Sequence, residues 1–454
     1  MKKKKDEPYN LLKLISKSLN PFKKVLVGFS GGMDSTVLLH ILMTLRKLKK
    51  IKIDLRAIHI NHHLQKESNL WESHCKKICD LWKISFLSKR VKISSKKYGV
   101  ESESRAIRYR EMRNVLRPKE VIMTAHHIDD QAETFLLALK RGSGPSGLSS
   151  MKFITSFHDK NIVRPLLSFE KTQLKKYAEE NRLSWIEDQS NFQDLFDRNF
   201  LRIHVLSILN RRWPYFSKAI SNSAKLCEDQ ENLIEELIKP HFLRLFNQRD
   251  SSLKIKELLT FSKIKRNVIL RNWFKVNHLP NPSRIQLKVL WNNVIRANPN
   301  SQPELVVFKK YVIRKFRSRL FCFQKFKEIN ESRIVWKNLS NDILLPGNLG
   351  KLVVCRNKRN ICSRTINKIR KPKTHEIVSI RFDVRSKEKV RLGTEIKSTT
   401  IKKIWRQCNI APWMRRRIPA IFYNSKLIAI IDLFVTEEGS SISSNQICIK
   451  WIKK

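Results

Sequence analysis

Glycine, acidic residues and closely paired cysteines are scarce in this chain of 454 residues. Only 11 residues are glycine, and 40 Asp and Glu stand against 92 Lys and Arg, for a formal net charge of +52. None of the eight cysteines belongs to a C-x-x-C pair, the spacing typical of zinc and iron–sulfur sites. The excess of positive charge indicates a polyanionic partner, although drift in an AT-rich genome produces a similar composition.

A long apolar segment is missing as well. The longest apolar stretch, Leu427–Val435, contains Asp432 and is too short to span a bilayer. The charged N-terminus lacks the apolar core of a signal peptide, and no cysteine pattern indicates a disulfide framework. We therefore expect a cytoplasmic protein with no membrane partner. Its 41% hydrophobic residues are enough to build the cores of several domains.

Short apolar runs alternate with helical patterns over the first 200 residues. This order predicts an α/β fold with a parallel, doubly wound sheet, in which ligands bind at the carboxyl ends of the strands. The predicted strands are Lys24–Phe29, Ile53–Ile60, Ile84–Val91 and Glu120–Ala125. The predicted helices are Ser35–Leu45, Asn69–Trp82, Glu101–Leu116 and Asp130–Leu139.

The pattern changes near Phe216. Long amphipathic stretches at Phe216–Gln248 and Ile255–Val276 predict a helical domain. Residues near Arg317–Lys337 contain short β-like runs, and from about Asn341 short strands such as Gly350–Val354 alternate with turns. We therefore predict three domains: a catalytic α/β domain at 1–215, a helical domain at 216–335 and a small α+β C-terminal domain at 336–454.

The most specific motif follows the first predicted strand and reads Ser30-Gly31-Gly32-Met33-Asp34-Ser35. Two glycines let the backbone approach a ligand closely, and the next helix directs free N–H groups at the loop, so the motif predicts an anion site. A carboxylate at Asp34 suits that site if Mg²⁺ lies between it and a phosphate. The Gly-Lys-Ser/Thr ending of a Walker A loop is absent, which disfavours kinase-type transfer of the γ-phosphoryl group.

Two further groups of charged residues are predicted to reach the same edge of the sheet. Asp130 and Glu133 follow the fourth strand and face one side of a helix, where carboxylates bind Mg²⁺, accept a proton or hold an ammonium group. The other interpretation is an acidic first turn that stabilises the helix dipole. Arg105 and Arg108 share a helical face and suit a phosphate or a carboxylate, or else form a solvated basic face.

These motifs together resemble the tRNA(Ile)-lysidine synthetases, a family of PP-loop N-type ATP pyrophosphatases. The resemblance runs along nearly the whole chain. Further similar segments are Lys140–Pro145, Arg164–Leu167, Trp185–Asp188, Asp197–Arg202, Arg211–Pro214, Lys402–Trp405 and Pro412-Trp413.

The resemblance implies a ligase that modifies the wobble cytidine in the CAU anticodon of tRNA(Ile). ATP would first adenylate the C2 oxygen of that cytidine, and the ε-amine of free L-lysine would then displace AMP to give lysidine. Codon reading would change from AUG to AUA, and identity from Met to Ile. ATP is then the expected substrate and Mg²⁺ the expected cofactor, and no protein partner is expected to be required.

The resemblance also implies roles for individual residues. The run from Ser30 to Ser35 is the expected ATP site. The expected catalytic residues are Asp34, Asp130 and Glu133. Asp34 and Asp130 are candidates for both Mg²⁺ binding and the general base, in an undecided order. The expected lysine- or phosphate-binding residues are Arg105, Arg108 and Glu133. The expected tRNA contacts are Lys140, Arg141, Arg198 and Arg202.

Two other interpretations stay open. A PP-loop tRNA thiolase would need a catalytic cysteine near the same edge, and Cys75 and Cys79 are the candidates in the predicted catalytic domain. Both are predicted to lie in the middle of a helix. The second alternative is an RNA-binding protein with a non-catalytic PP-loop, which the intact Ser30, Asp34 and Asp130 argue against.

Overall fold

The chain folds into two compact units, Met1–Leu237 and Ile238–Lys454. The structure, a computed structural model, describes residues 7–62, 67–91, 100–157, 160–188, 193–298, 301, 303–329, 333–355, 368–393, 397–440 and 446–453. In these ranges, no helix is both long and apolar enough to cross a membrane. The boundaries of the three predicted domains stay predictions.

Six strands form the sheet of the first unit: β1 Lys24–Gly28, β2 Asp54–Asn61, β3 Ser85–Arg90, β4 Glu120–Met123, β5 Ile154–Phe157 and β6 Lys160–Val163. Their order across the sheet is β3-β2-β1-β4-β6-β5. All neighbouring strands are parallel except β5 and β6, which are antiparallel. The predicted parallel sheet is confirmed, and each predicted strand agrees with an observed one to within two residues.

Helices cover both faces of this sheet. They are α1 Glu7–Leu19, α2 Met33–Lys47, α3 Ser68–Leu81, α4 Val100–Asn114, α5 Ile128–Lys140, α6 Pro145–Leu148, α7 Lys171–Glu180, α8 Asp197–Phe200, α9 Ser207–Arg212 and α10 Phe216–Leu245, which continues into the second unit. A π-helical segment, Leu201–Leu206, joins α8 to α9. The four helices predicted between the strands are therefore present as α2 to α5.

The central strand β1 is buried on both faces. Val25 and Val27 are 0% exposed and join the core under α2, whereas Leu26 points to the opposite layer with Ile58 and Ile122. Successive side chains of a strand alternate between the two faces of a sheet, so this near-continuous apolar run is what a doubly covered parallel strand requires. The parallel register brings the carboxyl ends of β1, β2, β4 and β6 to one edge.

A buried ion pair ties together the two strands that flank β1. Arg56 of β2 donates from Nε and Nη2 to the carboxylate of Glu120 on β4, at 2.9 and 2.6 Å. The backbone N–H of Arg117 donates to the same carboxylate. Burial alone would raise the pKa of Glu120, but these donors hold it below its ordinary value. The pair therefore stays ionised and fixes the spacing of the strands that carry the site.

The second unit begins with a five-stranded antiparallel sheet packed against helices. Its strands are β7 Phe246–Asn247, β8 Ser252–Lys254, β9 Glu304–Val307, β10 Tyr311–Phe316 and β11 Arg319–Gln324, in the order β7-β8-β11-β10-β9. The helices are α11 Lys263–Val276 and α12 Arg284–Val289. The predicted amphipathic stretches are thus present as α10 and α11. Of the sheet strands, β11 lies within the stretch Arg317–Lys337, where the sequence predicts short β-like runs, and the other four were not predicted.

The rest of the second unit consists of short strands and two short helices, as predicted. The elements are β12 Arg333–Val335, β13 Ile343–Leu345, β14 Gly350–Cys355, β15 Lys368–Arg370, β16 Val378–Arg381, β17 Lys389–Val390, β18 Thr399–Thr400, α13 Ile401–Gln407, α14 Pro412–Arg415, β19 Ala420–Tyr423, β20 Lys426–Ile430, β21 Phe434–Val435 and β22 Gln446–Ile452. They form sheets in the orders β12-β16-β19-β20-β21, β13-β14-β22-β15 and β17-β18.

Trp413 of α14 packs on aromatic side chains of the preceding sheet. Its ring stacks on Phe323 with centroids 5.7 Å apart, and Phe323 stacks on Phe326 at 4.7 Å. The guanidinium of Arg417 covers Phe326 at 4.2 Å from the ring centroid. The Pro412-Trp413 motif therefore joins the two parts of the second unit through aromatic and cation–π contacts.

Candidate active site

The loop between β1 and α2 has the backbone of a phosphate site. Gly31 adopts φ +85°, a conformation that favours glycine. A Cβ at Gly31 would also lie 2.9 Å from the Sγ of Cys75, closer than a real Cβ approaches. Two independent constraints therefore require glycine at position 31. The next residue, Gly32, is extended and caps α2, whose first N–H groups have no partner within the helix.

Two serine hydroxyls border this loop. Ser30 Oγ and Ser35 Oγ lie 3.0 Å apart, and Ser35 Oγ donates to the carbonyl of Gly32 at 3.0 Å. The hydroxyl of Thr36 donates to the same carbonyl. These bonds hold the loop against the first turn of α2, where the free N–H groups and the positive end of the helix dipole favour an anion.

Asp34 lies in the first turn of α2 and presents an unused acceptor. Its Oδ1 is buried and has no hydrogen-bond partner, and its Oδ2 lies 3.6 Å from His127 Nε2. A buried carboxylate oxygen without a donor is costly unless a cation binds it. This oxygen therefore fits a Mg²⁺ ion. Over the ranges that the structure describes, no three His, Cys, Asp or Glu side chains are grouped to hold a metal on their own.

His127 lies between the two halves of the site. Its Nε2 is 3.6 Å from Asp34 Oδ2 and 3.5 Å from Asp130 Oδ2, and its Nδ1 is 3.7 Å from Asp129 Oδ2. Burial lowers the pKa of His127, but these three carboxylates outweigh it and raise the pKa to about 9. The carboxylates therefore favour the protonated ring, whereas the hydrogen bond from the backbone N–H of Asp129 to Nδ1, at 3.3 Å, requires that nitrogen to be unprotonated. In either form the ring lies between Asp34 of α2 and Asp130 of α5.

Glu133 is fully buried and holds two arginines. Arg198 Nε donates to its Oε2 at 2.5 Å, and Arg202 Nε donates to its Oε1 at 2.7 Å. Both arginines lie 65 residues or more beyond Glu133 in the chain, on α8 and the π-helical segment. The predicted lysine-holding role of Glu133 stays a prediction, and it requires one arginine to move away.

The π-helical segment explains how both arginines reach one carboxylate. Residues four apart share a helix face, and π-helical turns inside α-helices are frequent at functional sites. Arg198 and Arg202 have this spacing and are both turned toward α5, with side chains 14% and 35% exposed. Their predicted role as tRNA contacts stays a prediction, since the contacts observed are to Glu133 and Asp130.

Asp130 is held less tightly than Glu133. Its Oδ2 accepts from the backbone N–H of His127 at 2.9 Å, and its Oδ1 accepts from Arg198 Nη2 at 3.1 Å. Arg202 Nη2 is farther away, at 3.7 Å. Burial raises the pKa of Asp130, but His127, His126 and Arg198 lower it below its ordinary value. Asp130 is therefore a carboxylate at neutral pH, and both of its oxygens accept hydrogen bonds.

The two predicted arginines of α4 face different parts of the edge. Arg105 is half-buried, and its charge lowers the pKa of His126 at the end of β4. Arg108 is exposed, and its charge lowers the pKa of His59 and His62 at the end of β2. The predicted binding roles of Arg105 and Arg108 stay predictions.

Lys140 and Arg141 lie at the end of α5, away from the buried carboxylates. Lys140 Nζ donates to Asp197 Oδ2 at 2.7 Å, and both side chains are more than 60% exposed. Arg141 is exposed and follows the helix. Their predicted role as tRNA contacts also stays a prediction.

The two cysteine thiols that a PP-loop tRNA thiolase would use are buried. Cys75 and Cys79 are 0% exposed on the inner face of α3, as the mid-helix prediction indicated. Burial raises the pKa of both thiols, that of Cys79 to about 12. Because the thiolate is the nucleophilic form, neither cysteine suits thiol chemistry at neutral pH.

Sequence reasoning assigned no role to three residues of this edge: His126, His127 and Arg164. The two histidines directly precede the helix with the predicted carboxylates, and Arg164 begins the segment Arg164–Leu167 that supported the resemblance. The sequence therefore pointed to these residues through their position next to recognised motifs. Their charge states depend on carboxylates and arginines from distant segments, which no local pattern indicates.

Three family models match successive parts of the chain. A model described as a PP-loop domain matches residues 4–209. One described as a TilS substrate binding domain matches residues 253–321, and one described as a TilS substrate C-terminal domain matches residues 378–451.

Relatives match over nearly the full length. The chain is 43% identical to a tRNA(Ile)-lysidine synthase of Photorhabdus laumondii, with 97% of each chain covered. It is 42% identical to one of Proteus mirabilis, over 97% of this chain and 98% of the relative. It is 38% identical to one of Hamiltonella defensa, over 99% of this chain and all of the relative.

Proposed function

The chain belongs to the tRNA(Ile)-lysidine synthase family, and we propose that ATP, Mg²⁺ and free L-lysine meet the wobble cytidine at the carboxyl edge of its parallel sheet. The protein is a tRNA-modifying ligase that uses ATP to form the carbon–nitrogen bond of lysidine. One observation carries the assignment to this edge. His127 joins Asp34 of the phosphate loop to Asp130 of α5, so the nucleotide site and the acidic site are adjacent.

In the first step, the C2 oxygen of cytidine attacks the α-phosphorus of ATP, and pyrophosphate leaves. The N–H groups at the start of α2 bind the departing phosphates, with Ser30 and Ser35 beside them. Asp34 would hold Mg²⁺ through its unpartnered Oδ1, and the ion would supply positive charge against the phosphates. The Asp130 oxygens already accept from His127 and Arg198, so Asp34 is the better ligand of the two.

In the second step, the ε-amine of lysine attacks C2 of the adenylated cytidine, and AMP leaves. The amine has a pKa of ~10.4 in water and must lose a proton first. We assign this ammonium group to Asp130, whose carboxylate takes its proton, because the arginine contacts of Asp130 at 3.1 and 3.7 Å are longer than those of Glu133 at 2.5 and 2.7 Å. An incoming ammonium group displaces the contacts of Arg198 and Arg202 with Asp130. Both arginines keep their shorter contacts with Glu133.

Labelled lysine gives the direct test of this function. The protein is incubated with ATP, Mg²⁺, labelled L-lysine and a tRNA(Ile) transcript bearing a CAU anticodon, and acid-precipitable label is counted after mild alkali. Alkali cleaves lysine esters at a tRNA 3′ end, so label bonded to a base remains. We expect stable label that disappears when the wobble C is changed to U. Absence of stable label, with folded protein that still binds ATP, would contradict the proposal.

The buried cysteines provide a test against the thiolase alternative. We expect the double variant Cys75→Ala, Cys79→Ala to keep kcat/KM for lysidine formation within about threefold, because neither thiol is a thiolate at neutral pH. Stability should fall by about 1–2 kcal/mol, since both thiols are packed in the core. Activity is measured below the unfolding transition, with Cys227→Ala as a partly exposed control. A large loss of activity in a folded double variant would favour a thiol mechanism.

A further inference from the structure

Arg164 is a buried arginine at the carboxyl edge of the sheet. It follows β6 directly and is 5% exposed. Its Nη1 donates to the carbonyl of Lys152 at 2.7 Å and to Thr155 Oγ1 at 2.9 Å. Its Nε is buried and has no hydrogen-bond partner. One donor of a buried cation is therefore left without an acceptor, which is rare in folded proteins.

Among the described residues, no carboxylate balances the charge of Arg164. None of their ion pairs includes Arg164, and its acceptors are the carbonyl of Lys152 and the hydroxyls of Thr155 and Tyr109. Burial and the charge of Arg105 lower the pKa of Arg164, and the hydroxyl of Tyr109 opposes this change. The buried Arg56, by comparison, is matched by Glu120. An unbalanced buried cation is unfavourable by itself, so an anion from outside the chain fits this place.

Arg164 lies at the same end of the sheet as the acidic residue Asp130. The backbone N–H of Thr124, directly after β4, donates to the carbonyl of Val163 at 3.1 Å, so Arg164 leaves β6 beside the segment that leads from β4 to Asp130. Asp130 is held at that strand end, because it accepts from the backbone N–H of His127 at 2.9 Å. Burial and the charges of Arg164, Arg105 and Arg198 lower the pKa of His126 to about 3 against the charge of Asp130, so this ring is neutral.

We infer that Arg164, assisted by Arg105, receives the α-carboxylate of free lysine and thereby selects an amino acid over a simple amine. The inference rests on the proposed function. An amino acid with a side-chain amine carries an anion at one end and the reacting amine at the other. Asp130 and Arg164 offer the two complementary charges at one edge. A guanidinium forms strong, charge-assisted hydrogen bonds with a carboxylate.

The phosphates of ATP are the other anions at this edge, but they have their own site. The phosphate loop follows β1, and in the sheet order β4 separates β1 from β6, which carries Arg164. The free N–H groups of α2 and the unpartnered oxygen of Asp34 lie at the β1 end. Arg164 therefore belongs to the part of the edge beyond β4, away from the phosphate loop.

A comparison of lysine with lysinamide tests the inference without any substitution. Lysinamide keeps both amines and replaces the carboxylate by a neutral amide. With wild-type enzyme we expect kcat/KM for lysinamide to be about 10- to 100-fold lower than for lysine, mainly through KM, which is the range expected for charge-assisted hydrogen bonds. Equal use of both substrates would overturn the inference. Pyrophosphate release from ATP and tRNA(Ile) without lysine is measured alongside, and its absence would overturn the proposed function as well.

Substitution of Arg164 then tests whether this residue causes the preference for lysine over lysinamide. In Arg164→Met, the preference for lysine over lysinamide should fall to about one, whereas KM for ATP and the rate of pyrophosphate release should stay near wild type. Arg164→Lys should restore part of the preference. Arg110→Met removes an exposed arginine of α4 and serves as control. An unchanged preference together with a raised KM for ATP would assign Arg164 to a phosphate and overturn the inference. If Arg164→Met does not fold, Arg105→Met provides the same comparison.

Discussion

Asp34→Ala should lower the rate of pyrophosphate release in the presence of tRNA(Ile) by about 10³-fold or more. The substitution removes the only carboxylate of the phosphate loop, whose Oδ1 is buried without a donor. It also removes one of the three carboxylates around His127. Loss of metal-assisted charge stabilisation amounts to several kcal/mol in the transition state, and each ~1.4 kcal/mol is tenfold in rate.

The assignment of Mg²⁺ to Asp34 has its own measurement. ATP affinity of wild type and Asp34→Ala is compared with and without Mg²⁺, and only the Mg²⁺-dependent part should be lost in the variant. Asp129→Ala is the matched control, because Asp129 also lies near His127 but follows β4 rather than β1. We expect that control to keep pyrophosphate release within about tenfold. Equal ATP binding by wild type and Asp34→Ala in Mg²⁺ would count against the site.

Glu133→Gln should destabilise the protein by about 3 kcal/mol. The carboxylate is 0% exposed and accepts from both Arg198 and Arg202, so its removal leaves two arginines without their main partner. Removal of one member of a buried ion pair costs about 3–5 kcal/mol, and the lower end applies here because Arg202 is one-third exposed and Arg198 keeps Asp130. The midpoint of urea unfolding measures the change.

Two controls separate this effect from a general loss of charge on α5. Lys140→Gln removes an ion pair whose members are both more than 60% exposed, and its effect on stability should be below about 1 kcal/mol. The loss of stability in Arg202→Gln should lie between those of Lys140→Gln and Glu133→Gln, because Glu133 keeps its contact with Arg198. A raised KM for lysine in Glu133→Gln with unchanged stability would instead mean that Glu133 holds lysine directly, as the family resemblance implies.

Much of the first unit could be predicted from local patterns. The run Ser30-Gly31-Gly32 after an apolar strand predicted a tight turn and an anion site, and the structure requires glycine at position 31 for two separate reasons. The alternation of strands and helices predicted the parallel sheet, and the boundaries of its central elements agree closely. Doubly buried strands and amphipathic helices have distinct hydrophobic periods, so these elements are readable in sequence.

The second unit was less predictable. The pattern over 216–335 indicated helices, and α10 and α11 are present, but five short strands form a sheet beside them. These strands have two to six residues, and only β7 and β8 lie between helical segments. Such short runs have too few residues to show a period of two, and they become strands only through pairing with distant partners.

The sequence by itself determined the phosphate loop, the acidic helix, the sheet and the family. Each of these depends on residues that are close together in the chain, or on similarity along its whole length. Only the tertiary structure decided which charges meet. It placed Arg198 and Arg202 on Glu133, put His127 between Asp34 and Asp130, and left Arg164 buried with no carboxylate partner among the described residues. Charge states and ion pairs are set by burial and by neighbours from distant segments, and these exist only once the chain is folded.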